Sequence, residues 1–328
     1  MGSMVTFADV LAARDAIAGM LPATPLWSYP ALNEAVGGTI HVKHENVQPV
    51  GAFKVRGGLT LLASLPESRR SAGLVTWSTG NHAQSIAYAC QSLGAPCTVV
   101  MPEGASAEKV RAVRVLGATV ELHGADLGAA QERASALAAS RGGLLVSPGD
   151  TPELIAGVGT IYLEIFAAQP DLDAVVVPVG SGTGAAAASI VAGALAPDCA
   201  VIGVQSSAAP AAYASWRAGS CVHEPCRTTV DGLATGRGFE LPQSLLRDRL
   251  TDFVLVSDDQ IAAAARLMAT HAHTLAEGAG AAGLAAVMDR PDLFAGRRVA
   301  IVCTGGNASA REIAALSAPA TAGSSGRP

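Results

Sequence analysis

Aromatic side chains are scarce in this sequence: Phe, Trp and Tyr together make up 4% of its 328 residues. A chain so poor in flat apolar rings offers no stacking platform for single-stranded nucleic acid. Positive charge is not in excess either. The formal net charge is -5 and only 15% of residues are charged, which removes the electrostatic case for nucleic acid or an anionic membrane as partner. No apolar run reaches the roughly 20 residues that a membrane span needs, and no secretory signal precedes the motifs. The six cysteines, Cys90, Cys97, Cys199, Cys221, Cys226 and Cys303, are scattered rather than spaced as a disulfide framework, which points to a reducing cytoplasm. The stretch CVHEPC, Cys221 to Cys226, holds two thiols and His223, but its spacing fits no familiar zinc finger and no second ligand cluster follows, so no metal is assigned. The opening Met-Gly-Ser looks like a cloning scar before Met4, and the Gly- and Ser-rich residues 317–328 look like a flexible tail.

What is present is apolar. Half the residues are hydrophobic and the length is about twice that of a typical single domain, which suits a two-lobed globular enzyme and excludes a disordered scaffold. Short β-rich runs alternate with Ala- and Leu-rich helical stretches: GLVTWS precedes NHAQSIAYACQSLG, PCTVVMP precedes SAEKVRAVRVLG, and TVELHG precedes LGAAQERASALAASRG. The rhythm resumes with DAVVVPVG, AVIGVQ and RRVAIVCTGGN. Such alternation predicts parallel βαβ units. A Pro- and Gly-punctuated break near Pro148 to Gly159 divides two series, so two open sheets are expected rather than one barrel.

Four glycine-marked loops and one lysine carry the chemistry. ENVQPVGAFKVRGG, Glu45 to Gly58, places Lys54 behind Phe53 in a turn. VVVPVGSGTGAAAA runs from an apolar strand through Gly180, Ser181, Gly182, Thr183 and Gly184 into a helix, where free backbone N–H groups and the helix dipole suit a phosphate. Gly180-x-Gly182-x-x-Ala185 also satisfies the weak dinucleotide pattern, but the acidic residue that should close the next strand is replaced by Gln205. A nucleoside triphosphate loop would end in Gly-Lys-Ser/Thr, and this one does not. An ordinary glycine turn remains open for this loop taken alone. TWSTGNHAQ puts Ser78, Thr79, Asn81 and His82 at a second strand-to-helix junction, able to cap a helix or to grip a carboxylate. AEGAGAAG, with Glu277, and VCTGGNAS, with Thr304, add small residues that let backbone approach a flat ligand.

Taken in order, these motifs, together with DGLATGR, resemble the fold-type II enzymes dependent on pyridoxal 5'-phosphate, in their threonine/serine dehydratase branch, whose members include serine racemase and ectoine-degradation dehydratases. The resemblance covers nearly the whole chain. It implies an α/β fold of two open, twisted, mostly parallel sheets with helices on both faces, like the tryptophan synthase β subunit, and a cofactor between the domains. The expected larger domain is 4–66 with 154–316, and the smaller one is 67–153.

By that resemblance Lys54 holds the cofactor as an imine and later acts as base, a role closed to arginine, which stays protonated. Phe53 lies against the pyridine ring, Asn81 bonds the ring hydroxyl, and Gly180 to Gly184 cradle the phosphate. Thr304 faces the ring nitrogen and Glu277 lies nearby. Ser78, Thr79, Asn81 and His82 hold the substrate carboxylate. The implied activity is elimination of water and ammonia from a β-hydroxy amino acid such as threonine or serine, in a homodimer. Racemisation, β-replacement and a specialised hydroxy-amino-acid substrate are the near alternatives, and a nicotinamide-dependent oxidoreductase is the remote one. Where relatives bind a divalent cation beside the phosphate loop through acidic ligands, this chain has Gln205, which puts such a site in doubt.

Overall fold

The computed structural model describes residues 4–317, so the two ends singled out above lie, apart from Ser317, outside the described residues. In chain order the strands are β1 (Leu26–Ser28), β2 (Thr39–His44), β3 (Leu74–Trp77), β4 (Cys97–Met101), β5 (Thr119–Leu122), β6 (Leu144–Val146), β7 (Ala174–Pro178), β8 (Ala200–Ser206), β9 (Asp252–Val256) and β10 (Arg298–Cys303). Six of them form one sheet in the order β1-β2-β10-β7-β8-β9, and four form a second in the order β5-β4-β3-β6. Every pairing is parallel except β1 with β2. The fold is the α/β arrangement of two mostly parallel sheets that the motifs imply.

The strands read as near-continuous apolar runs because helices cover both faces. In β7 every residue is buried, and alternate side chains enter different cores: Val175 and Val177 join one hydrophobic cluster, Ala174 and Val176 the other. The runs read along the sequence leave out strands β1, β6, β2 and β9. The first two are only three residues long, and β9 is recognisable as the sheet's last strand only through its pairing with β8.

The helix Lys54–Ser64 packs on two others, Asn81–Leu93 and Pro152–Ala168. Its approach to the second is backbone to backbone. A methyl carbon at Gly57 would lie 2.8 Å from the Leu154 carbonyl oxygen, and one at Gly157 would lie 2.6 Å from the Arg56 carbonyl oxygen. Meanwhile Val55, Leu59 and Leu62 share a hydrophobic cluster with Leu74, Ile86 and Val99 of the smaller sheet's layer. By packing, the lysine helix therefore contacts the layers of both sheets.

Directly after Lys54 comes a buried ion cluster that the sequence did not announce. Arg56 donates from Nε to Glu45 Oε2 and from Nη2 to Glu45 Oε1, each at 2.8 Å, and from Nη1 to Glu164 Oε1 at 2.6 Å. Lys43 closes the set onto Glu164 and onto the Thr24 carbonyl, while the Thr24 hydroxyl donates to Glu45. Arg56 is 2% exposed, Glu45 0% and Lys43 1%, whereas Glu164 is 24% exposed. Two cations and two carboxylates leave no net charge, and every charge has a hydrogen-bonded partner, which is the condition under which buried ions are tolerated. Replacing Arg56 with alanine strands the Glu45 carboxylate without water or a guanidinium. We expect Arg56→Ala to lower the unfolding free energy by about 3–5 kcal/mol in urea titrations, and Glu164→Ala, at the half-open end, to cost less.

Candidate active site

Three parallel strands deliver their C-terminal ends to one cleft, the position where open α/β sheets bind ligands. After β7 the chain enters the Gly180–Gly184 loop and the helix Thr183–Leu195; after β10 it enters Thr304 to Asn307; after β3, in the other sheet, it enters Ser78 to Asn81 and the helix Asn81–Leu93. The lysine turn is tied to the β10 loop. Phe53 N–H donates to the Thr304 carbonyl at 2.9 Å, Gly306 N–H donates to the Gly51 carbonyl at 2.9 Å, and Ala52 bridges Gly305.

Lys54 begins its helix and reaches across to the phosphate loop, donating from Nζ to Ser181 Oγ at 3.0 Å and to Thr183 Oγ1 at 2.8 Å. Enclosure of the amine, with no carboxylate beside it, brings its pKa down to about 8. In the loop itself none of the backbone N–H groups from Gly180 to Ala185 has a hydrogen-bond partner among the described residues. Gly182 has φ +92°, and a methyl carbon at Gly180 would lie 2.3 Å from the Gly232 carbonyl oxygen, so the loop is held in a form that only small residues allow. Gly232 follows Asp231, whose carboxylate accepts from Lys109 Nζ at 2.6 Å, an ion pair between segments that belong to the two sheets' layers.

Asn81 is fixed at both ends of its amide. Its Nδ2 donates to Glu277 Oε1 at 2.6 Å, and its Oδ1 accepts from Asn307 Nδ2 at 2.8 Å. One amide proton stays free to point into the cleft. Glu277 is 8% exposed; burial raises its pKa to about 7, the Asn81 bond opposes this, and Glu312 and Asp231 add to the rise. Ser78 Oγ accepts the Gly80 N–H at 3.1 Å, while the Thr79 and Thr304 hydroxyls make no hydrogen bond among the described residues. His82 is different. Thr76 Oγ1 donates to the Val146 carbonyl, so it accepts from His82 Nε2–H at 2.8 Å, and the buried ring is committed to β3 rather than to the cleft. Burial and the Lys54 charge bring its pKa down to about 3. His82 therefore meets the cleft through its backbone N–H. Sequence reasoning missed Asn307, which lies in the TGGN motif, and Ser85, whose hydroxyl donates to the Lys54 carbonyl at 2.5 Å.

A family model described as "Pyridoxal-phosphate dependent enzyme" matches residues 17–305. The chain belongs to this family. The enzyme is 39% identical over 305 residues to the L-threonine ammonia-lyase of Thermotoga maritima, covering 93% of this chain and 76% of that one. It is 34% identical over 312 residues to the L-threo-3-hydroxyaspartate ammonia-lyase of Saccharomyces cerevisiae, covering 95% and 96%. It also superposes on a structure of maize serine racemase with a TM-score of 0.89 and 27% identity, covering 95% of this chain and 98% of that one. These relatives identify the threonine/serine dehydratase branch, and pyridoxal 5'-phosphate is the cofactor. The residues present fit it. Unpartnered N–H groups at a helix start, two hydroxyls and a lysine suit a phosphate dianion and a covalent anchor, and the free Asn81 amide proton suits the ring hydroxyl. The nicotinamide alternative falls, since buried Gln205 stands where a ribose-binding carboxylate is needed.

The raised pKa of Glu277 has a stability consequence with a definite sign. An acid whose folded pKa lies above its unfolded value of 4.5 contributes stability that is fully present below about pH 4.5 and is lost as pH rises through about 7. The loss amounts to roughly 3 kcal/mol. Glu277→Gln is expected to remove this component, so urea midpoints of the variant should fall less between pH 4.5 and 7.5 than those of the parent. Parallel curves would show that Glu277 ionises freely.

Proposed function

We propose that the enzyme is an ammonia-lyase for a β-hydroxy amino acid, converting threonine, serine or a related substrate to a 2-oxo acid and ammonia. The observation that carries this reading is the enclosed Lys54 amine at the mouth of a phosphate-binding helix start, bonded to Ser181 and Thr183. The ammonia-lyase names of the relatives support it. When bound, pyridoxal phosphate supplies the electron sink that makes the Cα–H bond of an amino acid acidic.

The protein's part is orientation and proton transfer. The turn Ser78 to Asn81 presents hydroxyls and backbone N–H groups at a helix start, suited to the substrate carboxylate. Lys54, whose pKa burial brings down to about 8 in the cofactor-free site, would be the group placed to take the Cα proton. The Asn81 amide, held by Glu277 and Asn307, would orient the cofactor ring. Thr304 would bring a hydroxyl and no negative charge to the cofactor ring, a setting that would favour loss of a β-substituent over transamination.

A second activity, racemisation, is favoured by one observation: the Thr79 hydroxyl is half-buried in the carboxylate turn with no hydrogen bond among the described residues. A neutral hydroxyl with no neighbouring base is a poor acid, so elimination dominates in this reading. The same reading makes the enzyme a cytoplasmic homodimer. Six free cysteines and the absence of any long apolar helix among the described residues support the first part. Exposed Trp27, on the edge strand β1, offers an apolar side chain for the second part.

Ammonia release from a panel containing threonine, serine and 3-hydroxyaspartate tests the proposal; no release from any of them overturns it. Lys54→Ala should abolish turnover by at least three orders of magnitude while the far-ultraviolet dichroism of the fold is retained, because anchor and base are lost together. Thr79→Ala should keep more than about a third of the ammonia release, as expected for a group outside the proton transfer. Chiral chromatography of alanine incubated with the parent enzyme in deuterated water provides the contrast. Rapid appearance of the D-enantiomer, lost in Thr79→Ala, would make racemisation the principal activity.

A further inference from the structure

Tyr162 lies in the middle of the helix Pro152–Ala168, 1% exposed, in the hydrophobic cluster that includes Val177 and against which Phe53 packs. A buried phenol ordinarily gives its hydroxyl to a carbonyl or a neighbouring side chain. This one has no hydrogen-bond partner among the described residues. What it faces is position 184. A methyl carbon at Gly184 would lie 3.7 Å from Tyr162 Oη, 3.7 Å from Phe53 Cε2 and 3.2 Å from Val177 Cγ1. Glycine there leaves the hydroxyl uncovered on the side of the first helical turn. Gly184 is the second residue of the helix Thr183–Leu195, and its N–H is among those left unpartnered at the start of that helix.

Two independent features thus meet: a helix start with free donors, and a nearly fully buried polar side chain, itself unpartnered, directed at the same turn. We propose that Tyr162 is a further phosphate ligand of the pyridoxal phosphate site, its hydroxyl donating into the start of the helix Thr183–Leu195 from the core side. The inference rests on the family membership established above and extends the cup formed by the backbone of Gly180 to Gly184 and the hydroxyls of Ser181 and Thr183. Burial and the Glu45 carboxylate both push the phenol's pKa up, so it remains a donor throughout the pH range of a folded enzyme. An uncharged donor of this kind adds affinity for a dianion without competing with Lys54 for protons.

Tyr162→Phe removes one oxygen and keeps the ring that fills the core. Protein stripped of cofactor and titrated with pyridoxal phosphate, read by the visible absorbance band, should show about a tenfold higher Kd than the parent, the effect of one hydrogen bond to a charged group. The 31P resonance of the bound cofactor should shift, and inorganic phosphate should compete less well with cofactor binding in the variant. An unchanged Kd together with an unchanged 31P resonance overturns the proposal and leaves the hydroxyl to ordered water. If the variant does not fold, parent protein labelled with 13C at tyrosine Cζ decides. The Tyr162 Cζ resonance moves when inorganic phosphate is added to the stripped protein, or the proposal fails. A parent that binds no pyridoxal phosphate at all would instead contradict the cofactor assignment, so the two failures are separable.

Discussion

Arg56 offers its guanidinium to Glu45 and Glu164 in a space from which water is almost excluded, and the position of the catalytic cleft follows from that contact. Glu45 stands at the end of β2, Glu164 on the helix Pro152–Ala168, and Arg56 two residues beyond Lys54. Three pieces of chain far apart in sequence are thereby held together. A buried ion cluster of this sort contributes little net stability relative to well-packed apolar residues, but it tolerates few alternative arrangements, because any shift strands a charge. The lysine helix can neither slide nor rotate without breaking bidentate geometry. Its first residue is consequently presented to the phosphate loop at a fixed height.

Close backbone packing works to the same end. The Gly57 and Gly157 contact brings the lysine helix and its neighbour nearer than any side chain would permit, and the bonds from Phe53 to Thr304 and from Gly306 to Gly51 join the lysine turn to the end of β10. The cleft is therefore walled by two strand ends of the larger sheet, with β3 of the smaller sheet completing it. The Lys109–Asp231 pair links segments of the two sheets' layers at the surface, where an ion pair is worth little energy.

Charge inside the cleft is kept low. The pKa of the Lys54 amine is brought down by burial and that of Glu277 is brought up for the same reason, while beneath the cleft the His82 ring is held neutral. Asn81 sits between these groups with both amide atoms engaged, so its remaining proton has one direction available. A site of fixed donors suits chemistry in which the cofactor carries the changing charge, since the protein dipoles need not reorganise as the reaction proceeds.

Much of this was legible along the chain. Apolar runs alternating with Ala-rich helices announced parallel βαβ units because buried parallel strands cannot afford polar positions, and the glycine loops with Lys54, through their ordered resemblance to a known family, pointed to the cofactor. The sequence by itself thus determined the fold class, which depends on local spacing, and the cofactor, which follows from motifs that occur in a fixed order along the chain. It was silent on the Arg56 cluster, on Asn307 as the partner of Asn81, on the commitment of the His82 ring to Thr76, and on the hydroxyl of Tyr162. Those depend on which residues meet across separations of 100 positions or more in several cases, such as Arg56 with Glu164 and Asn81 with Glu277. Only the tertiary structure decided them, because hydrogen bonding and burial are properties of a three-dimensional neighbourhood, and a lone Arg, Asn or His in a sequence carries no mark of whether it will face water, a sheet or a substrate.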